Sequence, residues 1–325
     1  MILDKSHQKN FQKFLCSNEY NITQLDLDFQ NNQIGNEQAF QLGQNLAKYS
    51  QISKLVLNLI SNYIEPKGAL KLGEGIARLK NLQCFEIYLY ENNIGSEGIS
   101  GFLQGLQSCI NLQNMKLYLQ YNKIQAQGAS SIGSCILNFK NLKTLELDLL
   151  ENNLGFKGIS ELSQCIANCN CLSNLVLNLE SNDIRSKGAS ILGLNLKQCL
   201  NLQNLELVLY FNYIGREGIQ NLVSHISQCK KIQSMRLIAS QNPFKQDKSF
   251  KIKQKFLKMC NLVDFYFEID QKEDGDDDQE DQNEQQLSEE AENELEEQNI
   301  DNDLIEQEEG DIDLGDSSQD YNEYQ

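Results

Sequence analysis

The residue types in this sequence that are best suited to chemistry are ten cysteines, two histidines and a recurring set of tyrosines and carboxylates. Four cysteines share one position of a repeating pattern, three residues before an aliphatic residue: Cys109, Cys169, Cys199 and Cys229. A tetrahedral zinc site needs its thiolates within about 2.3 Å of one ion, whereas neighbouring packed helices lie roughly 10 Å apart. The spacing therefore predicts thiols that pack in a core, without a bound metal or other cofactor.

The histidines and the known catalytic motifs give no support to an enzymatic function. His7 stands near the start of the chain, and His225 lies in a helical pattern far along it. A nucleophilic serine or cysteine needs a base close by, and the sequence has no glycine-rich phosphate loop, H-E-x-x-H or kinase signature. We therefore predict a protein that is not an enzyme.

An asparagine recurs at a fixed spacing of 30 residues along most of the chain. Its positions are Asn32, Asn62, Asn92, Asn122, Asn152, Asn182, Asn212 and Asn242. Ten residues before each asparagine comes an aliphatic residue, such as Leu112 or Leu142, and apolar residues alternate with others in between. A period of two indicates a short strand with one buried face.

Each strand is followed by a second apolar pattern with a different period. In the third unit the pattern has the i, i+3, i+4, i+7 spacing of an amphipathic helix, at Ile99, Phe102, Leu103 and Leu106. A single unit cannot bury both of its apolar faces, but stacked units form a continuous core. The chain is therefore predicted to be an α/β solenoid, a horseshoe with a parallel sheet of about nine strands on the concave face and helices on the convex face.

A longer period of 60 residues lies over the first one. Units three, five and seven begin their helices with an isoleucine: Ile99, Ile159 and Ile219. Units two, four and six instead have an alanine, which is followed four residues later by a glycine: Ala69 and Gly73, Ala129 and Gly133, and Ala189 and Gly193. Helices with large and small side chains thus alternate. We expect the small residues of one helix to receive the large residues of the next.

These motifs resemble leucine-rich repeats of the ribonuclease-inhibitor type over nearly all of residues 22–270. The match lies in the L-x-x-L-x-L strand, the asparagine after it and an I-G-x-x-G helix start, as in the segment 94–98. One departure is an extra residue pair before the asparagine, as in the segment 117–122, which lengthens the strand without changing the face of any side chain. Lengthened repeats of this kind are similar to those of ciliate proteins. The resemblance implies that the asparagines form a ladder that satisfies backbone groups at the strand ends.

Charge divides the chain into different regions. Residues 271–325 contain 24 acidic residues and one basic residue, Lys272, whereas residues 1–270 carry a net charge of +5. An acidic segment with few apolar residues cannot offset the entropy lost on ordering. We therefore predict an N-terminal cap at 1–21, a leucine-rich-repeat domain of nine units at 22–270 with a partial last unit, and a disordered acidic tail at 271–325.

A lysine-rich segment stands near the C-terminal end of the repeats. Its basic residues are Lys245, Lys248, Lys251, Lys253, Lys255 and Lys258. The tethered acidic tail has a high effective concentration near these lysines, so we predict a weak, salt-sensitive docking that competes with anionic ligands. The alternative is that the tail only supports solubility.

The concave face of the sheet is the predicted partner-binding surface, because side chains that alternate with the buried strand residues lie there. The predicted contact residues are Tyr88, Tyr90, Tyr118, Tyr210, Val208, Ile238, Glu86, Glu146, Asp148, Glu206 and Arg236. Tyrosines among acidic residues suit a basic protein surface, since tyrosine adds apolar area with a polar tip at low entropy cost. The alternative is a solvated sheet whose tyrosines only fit strand propensity.

These features predict an interaction scaffold or adaptor that binds another protein, one with a basic surface. The alternative is a regulator of a small GTPase, because the Ran GTPase-activating protein is similar in combining such repeats with an acidic tail. Acidic leucine-rich nuclear phosphoproteins share that plan, with a shorter repeat. Nucleic acid is not expected as a partner, because the acidic tail would compete for the lysine-rich segment.

The sequence also predicts a cytoplasmic or nuclear monomer that does not enter membranes. No run of about 18 apolar residues occurs, and the start of the chain lacks the apolar region of a signal peptide. Without a secretory route, the cysteines are expected to stay reduced and to act as small buried apolar residues.

Overall fold

The computed structural model describes residues 5–8, 10–242, 255–256, 258–259 and 261–269. The chain divides into two units, Met1–Lys272 and Glu273–Gln325, and every described residue belongs to the first. The predicted tail at 271–325 lies outside the described residues, as do four of the lysines predicted to dock it: Lys245, Lys248, Lys251 and Lys253.

Strands and helices alternate along the described chain. The strands are β1 (Lys5–Gln8), β2 (Gln24–Asp28), β3 (Lys54–Asn58), β4 (Cys84–Tyr88), β5 (Asn114–Tyr118), β6 (Thr144–Asp148), β7 (Asn174–Asn178), β8 (Asn204–Val208), β9 (Ser234–Ile238) and β10 (Asp264–Glu268). The helices are α1 (Phe11–Leu15), α2 (Asn36–Leu46), α3 (Pro66–Ile76), α4 (Gly95–Leu106), α5 (Gln125–Ile136), α6 (Gly155–Ala167), α7 (Arg185–Leu196) and α8 (Arg216–Ile226). The strands form one parallel sheet in sequence order, which confirms the predicted α/β solenoid.

The repeat strands bury one face and leave the other partly exposed. In β6, Leu145 and Leu147 are fully buried, whereas Thr144, Glu146 and Asp148 are partly exposed. The buried strand residues share one continuous core with the apolar residues of the helices. Each fully buried leucine contributes roughly 1.5–3 kcal/mol, so the core is the main source of stability. We call the side of the sheet away from the helices the open face.

Each residue of a repeat strand pairs with the residue 30 positions later on the next strand, because every repeat has the same length. Leu117 of β5 pairs with Leu147 of β6, which pairs with Leu177 of β7. Backbone hydrogen bonding between units continues past the strand ends, since the N–H of Leu119 donates to the carbonyl of Asp148 at 2.8 Å. The extended pairing is the lengthened strand that the extra residue pair predicts.

The recurring asparagines form the ladder that the resemblance implies. The Oδ1 atom of Asn152 accepts from the N–H groups of Asn122 and Ile124 at 3.1 and 3.2 Å. Its Nδ2 atom donates to the carbonyls of Leu119 and Leu150 at 2.9 and 3.1 Å. A buried backbone group without a partner costs about 1–3 kcal/mol, so each ladder asparagine offsets several such costs and joins neighbouring units.

Gly73 and Gly193, two of the small residues predicted to receive large side chains, instead lie against the backbone of the next helix. A Cβ atom added to Gly73 would lie 2.5 Å from the carbonyl oxygen of Phe102 in the next helix. One added to Gly193 would lie 2.8 Å from the Cα atom of Leu222. Because real Cβ atoms do not approach so closely, these positions require glycine for the helices to pack at this distance.

The N-terminal cap contains the short helix predicted there, α1. Phe11 and Phe14 are buried, and the ring of Phe14 stacks on that of Tyr49 at a centroid distance of 5.7 Å. Cys16 follows the helix and is exposed. The cap also contributes β1, which pairs with β2 and was not predicted from the sequence.

At the other end, β10 closes the described part of the sheet. Phe256 is fully buried, and its ring lies 5.2 and 5.9 Å from the rings of Phe265 and Phe267 on β10. Lys255 and Lys258, two of the lysines predicted to dock the tail, are exposed. This aromatic group covers the apolar end of the core.

Candidate functional site

Two of the side-chain rows on the open face hold most of the predicted contact residues, with one residue from each of β2 to β10. The first row is Asp26, Val56, Glu86, Lys116, Glu146, Val176, Glu206, Arg236 and Tyr266. The second row is Asp28, Asn58, Tyr88, Tyr118, Asp148, Asn178, Val208, Ile238 and Glu268. Tyr90 and Tyr210 follow the ends of β4 and β8 by two residues. The structure thus brings the predicted contact residues together, and their role in binding stays a prediction.

Five residues of β4, β5 and β6 form what we call the tyrosine–carboxylate cluster: Glu86, Tyr88, Lys116, Tyr118 and Glu146. The rings of Tyr88 and Tyr118 stack with their centroids 4.4 Å apart and an angle of 3° between the planes. The Tyr118 hydroxyl donates to Oε1 of Glu146 at 2.6 Å, and the Tyr88 hydroxyl donates to Glu86. Lys116 Nζ lies 2.7 Å from Oε2 of Glu146. The parallel register sets these residues side by side, so the two stacked rings form a continuous aromatic surface.

The cluster raises the pKa of both of its tyrosines. Burial, and then the hydrogen bond to Glu86, raises the pKa of Tyr88 to about 12. Burial, and then the hydrogen bond to Glu146, raises the pKa of Tyr118 well above its ordinary value. The hydrogen bond with Glu146 likewise raises the pKa of Lys116, which therefore stays cationic. Both phenols thus act as hydrogen-bond donors to carboxylates and not as acids.

Two carboxylates beside this cluster carry incompletely compensated negative charge. Burial raises the pKa of Asp148, although its side chain accepts hydrogen bonds from the N–H of Leu150 and from Asn178. Burial also raises the pKa of Glu180, and the negative charges of Asp148 and Glu151 raise it further. A pKa raised by burial and like charge means that a cation placed nearby would be stabilised.

A second group, which we call the C-terminal cluster, consists of Glu206, Tyr210, Arg236, Tyr266 and Glu268. The hydroxyls of Tyr210 and Tyr266 each donate to Glu268 at 2.6 Å, and these hydrogen bonds lower the pKa of its carboxyl. The guanidinium of Arg236 lies 3.5 Å from Glu206 and 5.1 Å from the centre of the Tyr266 ring. Tyr266 and Glu268 did not enter the predicted contact set, although they continue its alternation.

Ile238 is the exception among the predicted contact residues, because its side chain is only 4% exposed. It lies on β9, between Val208 of β8 and Glu268 of β10. Tyr210 reaches from the β8 unit to Glu268, so the hydrogen bond between them crosses the strand that carries Ile238. Ile238 therefore offers almost no surface to a partner.

The described open face carries an excess of negative charge. Its acidic residues are Asp26, Asp28, Glu86, Glu146, Asp148, Glu180, Glu206, Asp264 and Glu268, and its basic residues are Lys54, Lys116 and Arg236. Asp270, which the alternation also places on this face, lies outside the described residues. With Tyr88, Tyr118 and Tyr210 among these charges, the surface is both acidic and aromatic.

The repeated cysteines pack in the core, as their spacing predicts. Cys109, Cys199 and Cys229 are buried, and Cys169 is partly buried. The Cys109 thiol lies 3.4 Å from the carbonyl oxygen of Ile76, and burial raises its pKa to about 11. Within the described ranges no three histidine, cysteine, aspartate or glutamate residues come together as metal ligands. No helix in the same ranges is long and apolar enough to cross a bilayer.

Comparison with known proteins leaves the family open. No protein-family profile matches the sequence, and no curated protein matches it. A crystal structure of a Bacteroides fragilis protein, solved by a structural genomics consortium, is similar with a TM-score of 0.46 and 14% sequence identity. The similarity covers 81% of this chain and 70% of that chain.

Proposed function

We propose that the protein is an interaction scaffold or adaptor whose open face binds the basic surface of a partner protein. The observation that carries this proposal is the tyrosine–carboxylate cluster, in which Tyr88 and Tyr118 are stacked and hydrogen-bonded to carboxylates. Aromatic residues that are already fixed in place lose little entropy on binding, and such residues dominate the affinity of many interfaces.

The charges of the open face support a basic partner. Asp148 and Glu180 have raised pKa values and lie in the middle of the array, where a lysine or arginine would stabilise their ionised forms. The excess of carboxylates also speeds the encounter with a positively charged surface through long-range attraction. The cluster would then provide the contact area, and the surrounding carboxylates the preference for basic partners.

We further propose that the repeats belong to the ribonuclease-inhibitor-like class and that the protein acts in the cytoplasm as a monomer without enzymatic activity. The asparagine ladder and the alternating helices support the class. The nine described cysteines carry free thiols, which supports a reducing compartment.

Site-specific photo-crosslinking tests which face binds. A benzophenone amino acid replaces Val176, which lies on the open face between Glu146 and Glu206 in the register of the sheet. The matched control carries the same group at Leu194 of α7, whose side chain is 46% exposed. We expect irradiation in a cell lysate to attach proteins with basic surfaces at position 176 and not at position 194.

The same experiment at high salt separates charge attraction from random contact. The Debye length falls from about 10 Å at 0.1 M salt to about 3 Å at 1 M, so the yield at position 176 should fall strongly. Equal capture from both positions, or capture of mainly acidic proteins at position 176, contradicts the proposal.

A further inference from the structure

A separate cleft of about 430 Å³ lies where the chain leaves β3, β4 and β5. Its lining residues follow the ends of these strands and are Asn62, Tyr63, Glu65, Glu91, Asn92, Asn93 and Tyr121. This cleft lies beyond the C-terminal ends of these strands, outside the two rows of the open face. None of its lining residues belongs to the predicted contact set.

Two exposed tyrosines line the cleft. The side chain of Tyr63 is 68% exposed and that of Tyr121 is 41% exposed. The ring of Tyr121 contacts that of Tyr90, with centroids 5.4 Å apart, so the packing against Tyr90 helps to hold the Tyr121 ring in place. Large aromatic side chains that stay exposed offer their ring faces to a ligand.

The two carboxylates of the cleft are oriented by the neighbouring repeats. Oε2 of Glu65 accepts a hydrogen bond from Asn36 at 2.8 Å, and Oε2 of Glu91 accepts one from Ser61 at 2.7 Å. The lining amides of Asn62 and Asn92 already donate to backbone carbonyls of the ladder. None of the lining residues, all of which are described, is basic, so the cleft presents two carboxylates and two aromatic rings.

We propose that this cleft binds a guanidinium group, the side chain of an arginine on a partner protein. A guanidinium is planar and weakly hydrated, so it stacks on a tyrosine ring while its N–H groups donate to carboxylates. A lysine ammonium would gain the attraction to Glu65 and Glu91 but would lose the stacking and the planar pairing. The site therefore selects arginine over lysine and over neutral side chains.

This site does not depend on the proposed function of the open face. None of the lining residues belongs to the open-face rows, so a small probe tests the cleft separately, and failure of the cleft proposal is distinguishable from failure of the open-face proposal. A partner that bound both surfaces would place an arginine in the cleft at the C-terminal ends of the strands, while most of its contacts would lie on the open face.

Fluorine NMR on the full chain tests the cleft. The twelve tyrosines are replaced by 3-fluorotyrosine, and the resonances of Tyr63 and Tyr121 are assigned by Tyr63→Phe and Tyr121→Phe. The probes are N-acetyl-arginine methylamide and its neutral analogue N-acetyl-citrulline methylamide. We expect the arginine probe to shift these two resonances saturably, with a Kd in the millimolar range, and the citrulline probe to leave them unchanged.

Variants identify the carboxylates that contribute. Glu65→Gln combined with Glu91→Gln should weaken binding of the arginine probe at least threefold. The matched pair Glu161→Gln and Glu217→Gln, on exposed positions of α6 and α8, makes the same charge change and should not alter it. Equal shifts with citrulline, shifts of the exposed Tyr213 of the same size, or the absence of any saturable shift overturn the proposal.

Discussion

Leu147→Asp should leave the repeat domain unfolded under conditions in which the unaltered protein is folded. Leu147 is fully buried in β6, with Leu117 and Leu177 beside it on the neighbouring strands. Losing the packing of a buried leucine costs about 2–5 kcal/mol, and burying an unpaired carboxylate adds several more. This sum is comparable with the roughly 5–15 kcal/mol by which native domains are stable.

Circular dichroism and thermal melting measure this effect, with Thr144→Asp as the matched control. Thr144 lies on the same strand but on the open face, and its neighbours Asn114 and Asn174 are uncharged. The control should change the free energy of unfolding by less than about 1 kcal/mol. Similar melts for both variants would mean that the two faces of β6 are assigned wrongly.

Tyr88→Ala combined with Tyr118→Ala should weaken binding of the partner captured at position 176 by more than tenfold. Both rings lie in the centre of the tyrosine–carboxylate cluster, and their stack is formed before binding. A tenfold loss corresponds to about 1.4 kcal/mol, which is modest for two aromatic residues at the centre of an interface. Isothermal titration calorimetry with the purified partner provides the dissociation constant.

Stability separates this effect from general damage. The stack contributes about 0.5–1.5 kcal/mol, so the melting temperature should fall by only a few degrees. Tyr88→Phe combined with Tyr118→Phe keeps the rings and removes only their hydrogen bonds to Glu86 and Glu146. The affinity of this variant for the partner should therefore lie between that of the unaltered protein and that of the double alanine variant. Clear loss of stability with unchanged affinity would show that the cluster serves only the fold.

The fold could be predicted because each unit repeats the same pattern of buried strand residues, buried helix residues and a ladder asparagine. The alternation around Leu147 identifies the buried strand face, and the spacing of Phe102 identifies the helix face that covers it. Asn152 stands where the strand pairing ends, so its role follows from the backbone groups that need partners there. Periodicity alone fixes these features, because every unit packs against a copy of itself.

The features that were not predicted depend on contacts between particular side chains or on local backbone geometry. Ile238 lies on the expected face, but the bond from Tyr210 to Glu268 crosses its strand. Tyr121 adopts a left-handed backbone conformation, with φ of 56°, that sequence rules reserve for glycine and asparagine. The ladder asparagine that directly follows Tyr121 stabilises the turn that Tyr121 makes. Alternation gives the face of a side chain, but not its rotamer or its partner.

The most direct measurement of the central claim compares two variants that make the same change of charge on opposite sides of the sheet. The open-face variant carries Glu86→Gln, Glu146→Gln, Glu180→Gln and Glu206→Gln. The control carries the same substitution at four exposed helix residues, Glu74, Glu97, Glu161 and Glu217.

The dissociation constant of the partner captured at position 176, measured at low and at high salt, decides between the faces. We expect the open-face variant to bind at least tenfold more weakly and to lose much of its salt dependence, and the control to bind like the unaltered protein. Equal weakening by both variants would mean that only net charge matters, and weakening by the control alone would place the binding surface on the helices.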